Sequence, residues 1–234
     1  MLYIVPTPIG NLEDVTLRTL TTLGAVKAVY CEDTRRTRIL LERHGIAKPL
    51  VRYNEHDERS VSALLERLAA GDDLALVSDS GTPVLSDPGS RAVARARAAG
   101  IPVTALPGPS AVACAVSGSG LPGDSFVFLG FLPRSAGRRR RALAEAAKLG
   151  RTLVVYESPF RVLDLLRQAE EALGPDAQAV CARELSKVHE EYLRGTVREV
   201  RAALEARGGA PGEYVVLFHP GASPDAPAKE SDED

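Results

Sequence analysis

Short apolar runs alternate with helical stripes along the first half of the chain. Leu2–Val5, Val26–Cys31, Leu50–Tyr53, Leu74–Ser78 and Pro102–Leu106 read as strands. Between them lie amphipathic segments with start and stop signals. Asp14 is placed to cap a helix with the stripe Leu17, Leu20 and Leu23. Thr34 is placed to cap one that runs through Leu41 and stops at Gly45. Val61, Leu64, Leu65 and Leu68 share a helical face. Asp87-Pro88 reads as an N-cap and first-turn pair for a helix closed by Gly100, and Pro109 opens another to about Ser117. This βαβα alternation predicts a mostly parallel sheet covered by helices.

Gly118-Ser-Gly-Leu-Pro-Gly123 breaks the pattern, which places a first domain at 1–117, a linker at 118–123 and a second domain at 124–220. The second half reads as strand Phe126–Phe131, a basic loop, a helix to Leu149, strand Thr152–Glu157 and a helix from Pro159 to Leu173. Strands Ala177–Arg183 and Glu191–Gly195 follow. Thr196-x-x-Glu199 then spells a capping box for a helix ending at Gly208-Gly209, before a last strand, Tyr214–Phe218. Residues 221–234 turn to Pro, Ala, Ser and acid, the composition of a disordered acidic tail.

The 234 residues, 44% of them hydrophobic, suit two α/β units. No apolar run reaches the ~18–20 residues that span a bilayer, and no basic segment precedes an apolar stretch at Met1. Cys31, Cys114 and Cys181 stand apart without CxxC spacing, so no metal is expected, and the odd count fits a reducing cytoplasm. The net charge of −2 hides segregation: Arg134, Arg138, Arg139, Arg140 and Arg141 form a basic block, with a weaker patch at Arg35, Arg36 and Arg38. The block reads as a set of phosphate contacts, because consecutive arginines repel one another at a helix start; the alternative is a solvated loop and helix start.

Three loops at the predicted C-terminal sheet edge share a composition. Pro6-Thr-Pro-Ile-Gly-Asn11, the Ser78–Gly89 segment and Pro107-Gly-Pro-Ser110 each combine Gly and Pro with small hydroxyl or acidic residues. Ligands of open parallel sheets bind at this edge. Gly admits close backbone approach, the helix start after Pro109 offers N–H groups to a carboxylate, and Asp79 can accept from ammonium or ribose hydroxyl groups. An amino acid joined to a nucleoside would use both kinds of partner. GxGxxG and GxxxxGK[ST] are absent. Asn54-Glu-His-Asp-Glu58 fits a substrate-lining loop or a capping loop equally.

In order along the chain stand Thr7-Pro-Ile-Gly-Asn-Leu12, Cys31-Glu-Asp-Thr-Arg35, Val77-Ser-Asp-Ser-Gly-Thr-Pro83 with Ser86-Asp-Pro-Gly89, and Leu106-Pro-Gly-Pro-Ser-Ala111. They are followed by Gly130-Phe-Leu-Pro133, Tyr156-Glu-Ser-Pro-Phe-Arg161, Ala182-Arg-Glu-Leu-Ser-Lys187 with His189-Glu-Glu191, and Gly212-Glu-Tyr214. This ordered set resembles the ribosomal RNA small subunit methyltransferase I family of the tetrapyrrole methylase superfamily. The resemblance implies two α/β domains with a mixed C-terminal sheet, S-adenosyl-L-methionine held in the cleft between them, and a homodimer. It implies 2′-O-methylation of a cytidine in the decoding region of small-subunit ribosomal RNA, free or in the assembled subunit. By motif position, the methionine end of the cofactor meets Gly81, Thr82, Pro83, Val84, Ser110 and Ala111, near Pro8, with Asp79, Ser80 and Asp87 in the same loop. The adenosine end meets Leu132, Ala182, Gly212, Glu213 and Tyr214.

Such a transfer needs the hydroxyl oxygen about 3–3.5 Å from the methyl carbon, and a base or a cation beside a weakly acidic ribose hydroxyl helps. Glu157, Glu184 and Lys187 are the catalytic candidates, with Asp33 as an alternative; either glutamate could instead pair with Arg161 or Arg183. The basic patches, including Arg35, would meet phosphates. Rival readings are a tetrapyrrole or diphthine methyltransferase on the same fold, or a non-catalytic RNA-binding assembly factor.

Overall fold

The computed structural model describes residues 1–209 and 211–221. The tail expected at 221–234 therefore lies, beyond Gly221, outside the described residues. The chain divides into two compact units after Ala113. That division falls inside a helix, Ala111–Ser119, ahead of the Gly118–Gly123 break in composition. Among the described residues no helix is long and apolar enough to cross a membrane.

The first unit runs β1 (Leu2–Val5), α1 (Leu17–Ala25), β2 (Ala28–Cys31), α2 (Thr34–Arg43), β3 (Leu50–Arg52), α3 (Glu58–Ala69), β4 (Leu74–Val77), α4 (Ser90–Ala98), β5 (Val103–Ala105) and the start of α5 (Ala111–Ser119). All its strand pairs are parallel, in the order β3-β2-β4-β1-β5. Its central strands are apolar on both faces. Leu2, Ile4, Ala28, Tyr30, Leu74 and Leu76 pack with Val61, Leu64 and Leu68 of α3 and Ala92 and Ala96 of α4. The alternate residues Val5, Val29, Cys31, Ala75 and Val77 pack with Leu23 of α1 and Leu41 of α2. Burial on two faces explains why these strands read as continuous apolar runs. Each large side chain buried this way contributes about 1.5–3 kcal/mol.

The capping residues of three helices differ from expectation, and two helices start later than read, at Ala111 rather than Pro109 and at Val162 rather than Pro159. The Thr16 hydroxyl, not Asp14, caps α1 by accepting from the Thr19 N–H at 3.0 Å, and Thr19 with Leu23 forms the buried stripe while Leu17 faces solvent. Asp33, not Thr34, caps α2 by accepting from the Arg35 N–H at 2.8 Å. Helix α4 starts after Gly89, whose φ of 133° no capping side chain would tolerate comfortably, so Asp87 does not cap it. Glu55 reaches over from the β3–α3 loop instead and accepts from the N–H groups of Gly89 and Arg91 and from the Ser90 hydroxyl.

The second unit continues with β6 (Phe126–Phe131), α6 (Ala136–Ala147), β7 (Thr152–Glu157), α7 (Val162–Leu173), β8 (Gln178–Arg183), β9 (Glu191–Thr196), α8 (Val197–Ala206) and β10 (Tyr214–His219). Its sheet is mixed, in the order β6-β7-β10-β8-β9, with only β6 and β7 parallel neighbours. The Thr196–Glu199 capping box forms as the spacing predicts. One apolar cluster joins Leu143, Val155, Leu165, Cys181, Val200 and Phe218.

Candidate functional site

In the first unit the helices after β1 and β4 leave in opposite directions, since β1 leads to β2 across β4 and β4 leads to β5 across β1. Such a switch point opens a crevice at the carboxyl ends of the strands. The loops there are knitted together. Thr7 and Gly81 exchange backbone hydrogen bonds of 2.9 and 3.0 Å, the Ser78 hydroxyl donates to the Gly81 carbonyl at 2.5 Å, and the Thr82 hydroxyl donates to the Pro109 carbonyl at 2.8 Å. A cavity of about 190 Å³ beside them is lined by Pro8, Leu12, Arg36, Ile39 and Asp79 among others. The Gly81–Gly89 segment also carries two residues in the left-handed region, Val84 at φ 76° and Ser86 at φ 58°. A β-branched residue there is strained by about 1–3 kcal/mol, and such strain gathers at ligand loops. Nothing in the composition of the loop marks that conformation.

Carboxylates crowd this edge. Asp79 accepts from the Asp33 N–H at 3.0 Å. Asp33 is bonded to Arg35, which holds its carboxyl far below the usual range, so it is a poor proton acceptor, and Arg35 is already neutralised. Asp87, released from capping, is half-buried. Burial first, then Glu32, Asp79 and Glu55, pushes it up to about 7. The neighbouring Tyr53 hydroxyl is buried without a hydrogen-bond partner among the described residues. The Asn54–Glu58 segment turns out to be a capping loop: Asp57 caps α3, Glu55 caps α4, and Glu58 pairs with Arg91 and Arg95.

Asp87 makes a pH prediction. Its folded-state pKa lies above its ordinary value of 3.8, so the folded chain holds this proton more tightly than the unfolded chain. The resulting stability is present below about pH 4 and is lost as pH rises through about 7. Asp87→Asn removes the effect. The variant is expected to gain about 2 kcal/mol on wild type between pH 5 and pH 8, allowing for solvent screening. Urea unfolding at both pH values checks it, and a wild-type-to-variant difference that does not change with pH refutes it.

In the second unit β6, β7 and β8 end at one sheet edge, where β10 begins, as the pairings require. Three of the sequence candidates meet there in one cluster. Lys187 donates to Glu184 and Glu213 at 2.9 Å each, and Glu184 accepts the Glu213 N–H at 2.8 Å. Despite opposing desolvation, these hydrogen bonds hold Glu184 below and Lys187 above their ordinary values. Both stay charged at neutral pH: protonated Lys187 has no lone pair to accept a proton, and the Glu184 carboxylate, lowered in pKa and engaged by Lys187 and the Glu213 N–H, is a weak base. Glu184 and Ser186 sit at φ 49° and 65°, a second strained loop. Leu132, Ala182 and Tyr214 are buried beside this edge. Glu157 is buried too: its Oε1 accepts from the Ser158 N–H at 2.8 Å and from Arg161 Nε at 2.7 Å, which is the structural pairing weighed from sequence.

The arginine block divides. Arg134, Arg138 and Arg141 are exposed and have no ion partner among the described residues, whereas Arg140 pairs with Glu171. Arg139 departs from the expected surface role. It is 2% exposed, and its Nε donates to the Pro133 carbonyl at 3.1 Å. The helical period carries the signal, since Arg139 shares the buried stripe of Leu143 and Ala146.

The family model described as Tetrapyrrole (Corrin/Porphyrin) Methylases matches residues 1–201. A Mesorhizobium japonicum protein named Ribosomal RNA small subunit methyltransferase I is 45% identical over 229 residues, covering 97% of this chain and 78% of that protein. A Thermotoga maritima protein of the same name is 46% identical over 207 residues, covering 88% of this chain and 92% of that protein. Uroporphyrin-III C-methyl transferase from Thermus thermophilus, solved with S-adenyl homocysteine, aligns with a TM-score of 0.64 at 21% identity, covering 94% of this chain and 97% of that one. That last likeness is one of fold.

Proposed function

Because the chain belongs to the ribosomal RNA small subunit methyltransferase I family, within the tetrapyrrole methylases, we propose that it methylates the ribose 2′-oxygen of a cytidine in the decoding region of small-subunit ribosomal RNA, using S-adenosylmethionine. The observation that carries this reading is the knitted, carboxylate-crowded loop edge of the first unit. Asp87 keeps a proton up to about pH 7 because it is partly buried and faces the acidic groups Glu32, Asp79 and Glu55. A ligand bearing an ammonium group answers that acidic cluster. Asp79 and Asp87 would accept from this ammonium. Ser80, Gly81, Thr82, Pro83 and Val84 would close over the methionine end with Pro8, Ser110 and Ala111. Leu132, Ala182 and the Gly212–Tyr214 turn would take the adenosine.

Bound S-adenosylmethionine supplies an electrophilic methyl group with a good leaving group. The chain's own work is then mainly orientation. Glu157, Glu184, Lys187 and Asp33 are each held in ion pairs. In this reading the departing hydroxyl proton goes to water, and Lys187 keeps a positive charge near the reacting oxygen. Arg134, Arg138 and Arg141 would hold phosphates, and the 2′-hydroxyl itself selects RNA over DNA. The reading includes a cytoplasmic homodimer acting on free ribosomal RNA or the assembled small subunit.

The test is methyl transfer from labelled S-adenosylmethionine to small subunits lacking the modification. Label mapping to a cytidine ribose is expected. Label on a base, or none with the cofactor bound, overturns the reading.

A further inference from the structure

Phe160 is 94% exposed, although it belongs to a tightly built turn. Strand β7 ends at Glu157, and the Arg161 N–H donates to the Ser158 carbonyl at 3.0 Å, closing a four-residue turn. Pro159 occupies the position that favours proline, and Phe160 takes the next corner. The Glu157–Arg161 pair, at 2.6 Å, clamps the turn from the inside, and the Ser158 N–H is tied to the same carboxylate. The ring is therefore held out in water by a rigid frame. A side chain exposed only by the mobility of its loop would lack such a frame.

Its surroundings name a partner. Strands β6 and β7 are parallel neighbours, so the residues after Phe131 and those after Glu157 leave the same edge side by side. Arg134 stands three residues beyond the first strand end and Phe160 three beyond the second. Arg134 and Arg138 carry no ion partner among the described residues. Phe131, 59% exposed and tilted against Tyr156 at 5.5 Å, extends the aromatic surface. An exposed ring held by a tied turn, on the same strand-end edge as unpaired arginines, is the combination that holds an unstacked nucleotide, with the base on the ring and the phosphate on the guanidinium. A second copy of this chain would bring the same arginines to the face and meet repulsion.

We infer that Phe160 is a stacking platform for an unpaired nucleobase of the RNA substrate. This rests on the RNA reading above and adds the requirement for a single-stranded target. Phe160 is then a positioning residue, binding a nucleotide next to the reacting one.

The chain contains no tryptophan, so Phe160→Trp installs a single reporter. Its emission is expected to be quenched by a single-stranded cytidine oligonucleotide and to stay nearly constant with the same strand in a duplex. Phe160→Ala and Phe160→Leu should each raise the KM for small subunits about tenfold with kcat within about twofold, while Phe160→Tyr and Phe160→Trp restore it. Full activity with leucine would overturn the inference, because leucine keeps the bulk and loses the ring. So would an unquenched indole on RNA-saturated protein, or a loss of dimer in Phe160→Ala by sedimentation. Quenching by single strands without methyl transfer by wild type keeps the platform and refutes the methylation reading. Absence of RNA binding refutes both.

Discussion

Gly212→Ala is expected to cost about 2–5 kcal/mol of stability, from positive-φ strain plus overpacking, and, in the protein that remains folded, to abolish measurable cofactor binding. Gly212 sits at φ 123°, where an L side chain is strained. A Cβ there would lie 2.6 Å from Glu184 Cγ and 2.9 Å from Cδ and Oε1. Glu184 has little freedom to withdraw. Its own φ is 49°, its N–H donates to the Glu213 carbonyl at 3.0 Å, and its carboxylate holds both the Glu213 N–H and Lys187. Relief of the overlap therefore breaks the whole cluster. Gly209→Ala is the control: φ is 82° but nothing lies within 4 Å of its Cβ position. That variant should show the backbone cost alone, about 1–2 kcal/mol. Urea unfolding of both, with calorimetric titration of S-adenosylmethionine, separates the contributions. Equal losses in the two variants would mean that the Glu184 contact carries nothing.

What could be read from the sequence divides along a physical line. Periodicity is a local property, and it located the strands and the buried faces of helices such as Val61, Leu64 and Leu68. The Thr196–Glu199 box is equally local. The three loops at the first sheet edge were legible from their Gly, Pro and hydroxyl content, and the structure ties them to one another. Features set by residues far apart in the chain were not legible. Glu55 caps a helix that starts 35 residues later, which frees Asp87 from the capping role its sequence suggests. Val84 at positive φ follows from the packing of its loop, and propensity argues against it. Arg139 is a different case, because the period that buries it was present but was outweighed by the run of like charges around it.

Glu157→Ala is the second large effect, and it decides between two roles for that carboxylate. As a general base it would be reachable by the substrate. Here its side chain is fully buried, one oxygen is saturated by Ser158 and Arg161, and the other has no partner among the described residues. A base would have to release Arg161, whose own side chain is 25% exposed. Removing the carboxylate strands a largely buried guanidinium, a lesion worth about 3 kcal/mol. Glu157→Gln keeps an acceptor for Ser158 and should cost about 1–2 kcal/mol. If the pair is a clamp, both variants lower the urea midpoint in that order. Methyl transfer then fails by a rising KM for RNA, as Phe160→Ala should, since both loosen one turn. If Glu157 is the base, Glu157→Gln instead unfolds nearly as wild type and loses kcat by about 100-fold or more. Buried geometry favours the clamp, and on the proposed reading the Tyr156–Arg161 motif then serves to hold Phe160 rather than to move a proton.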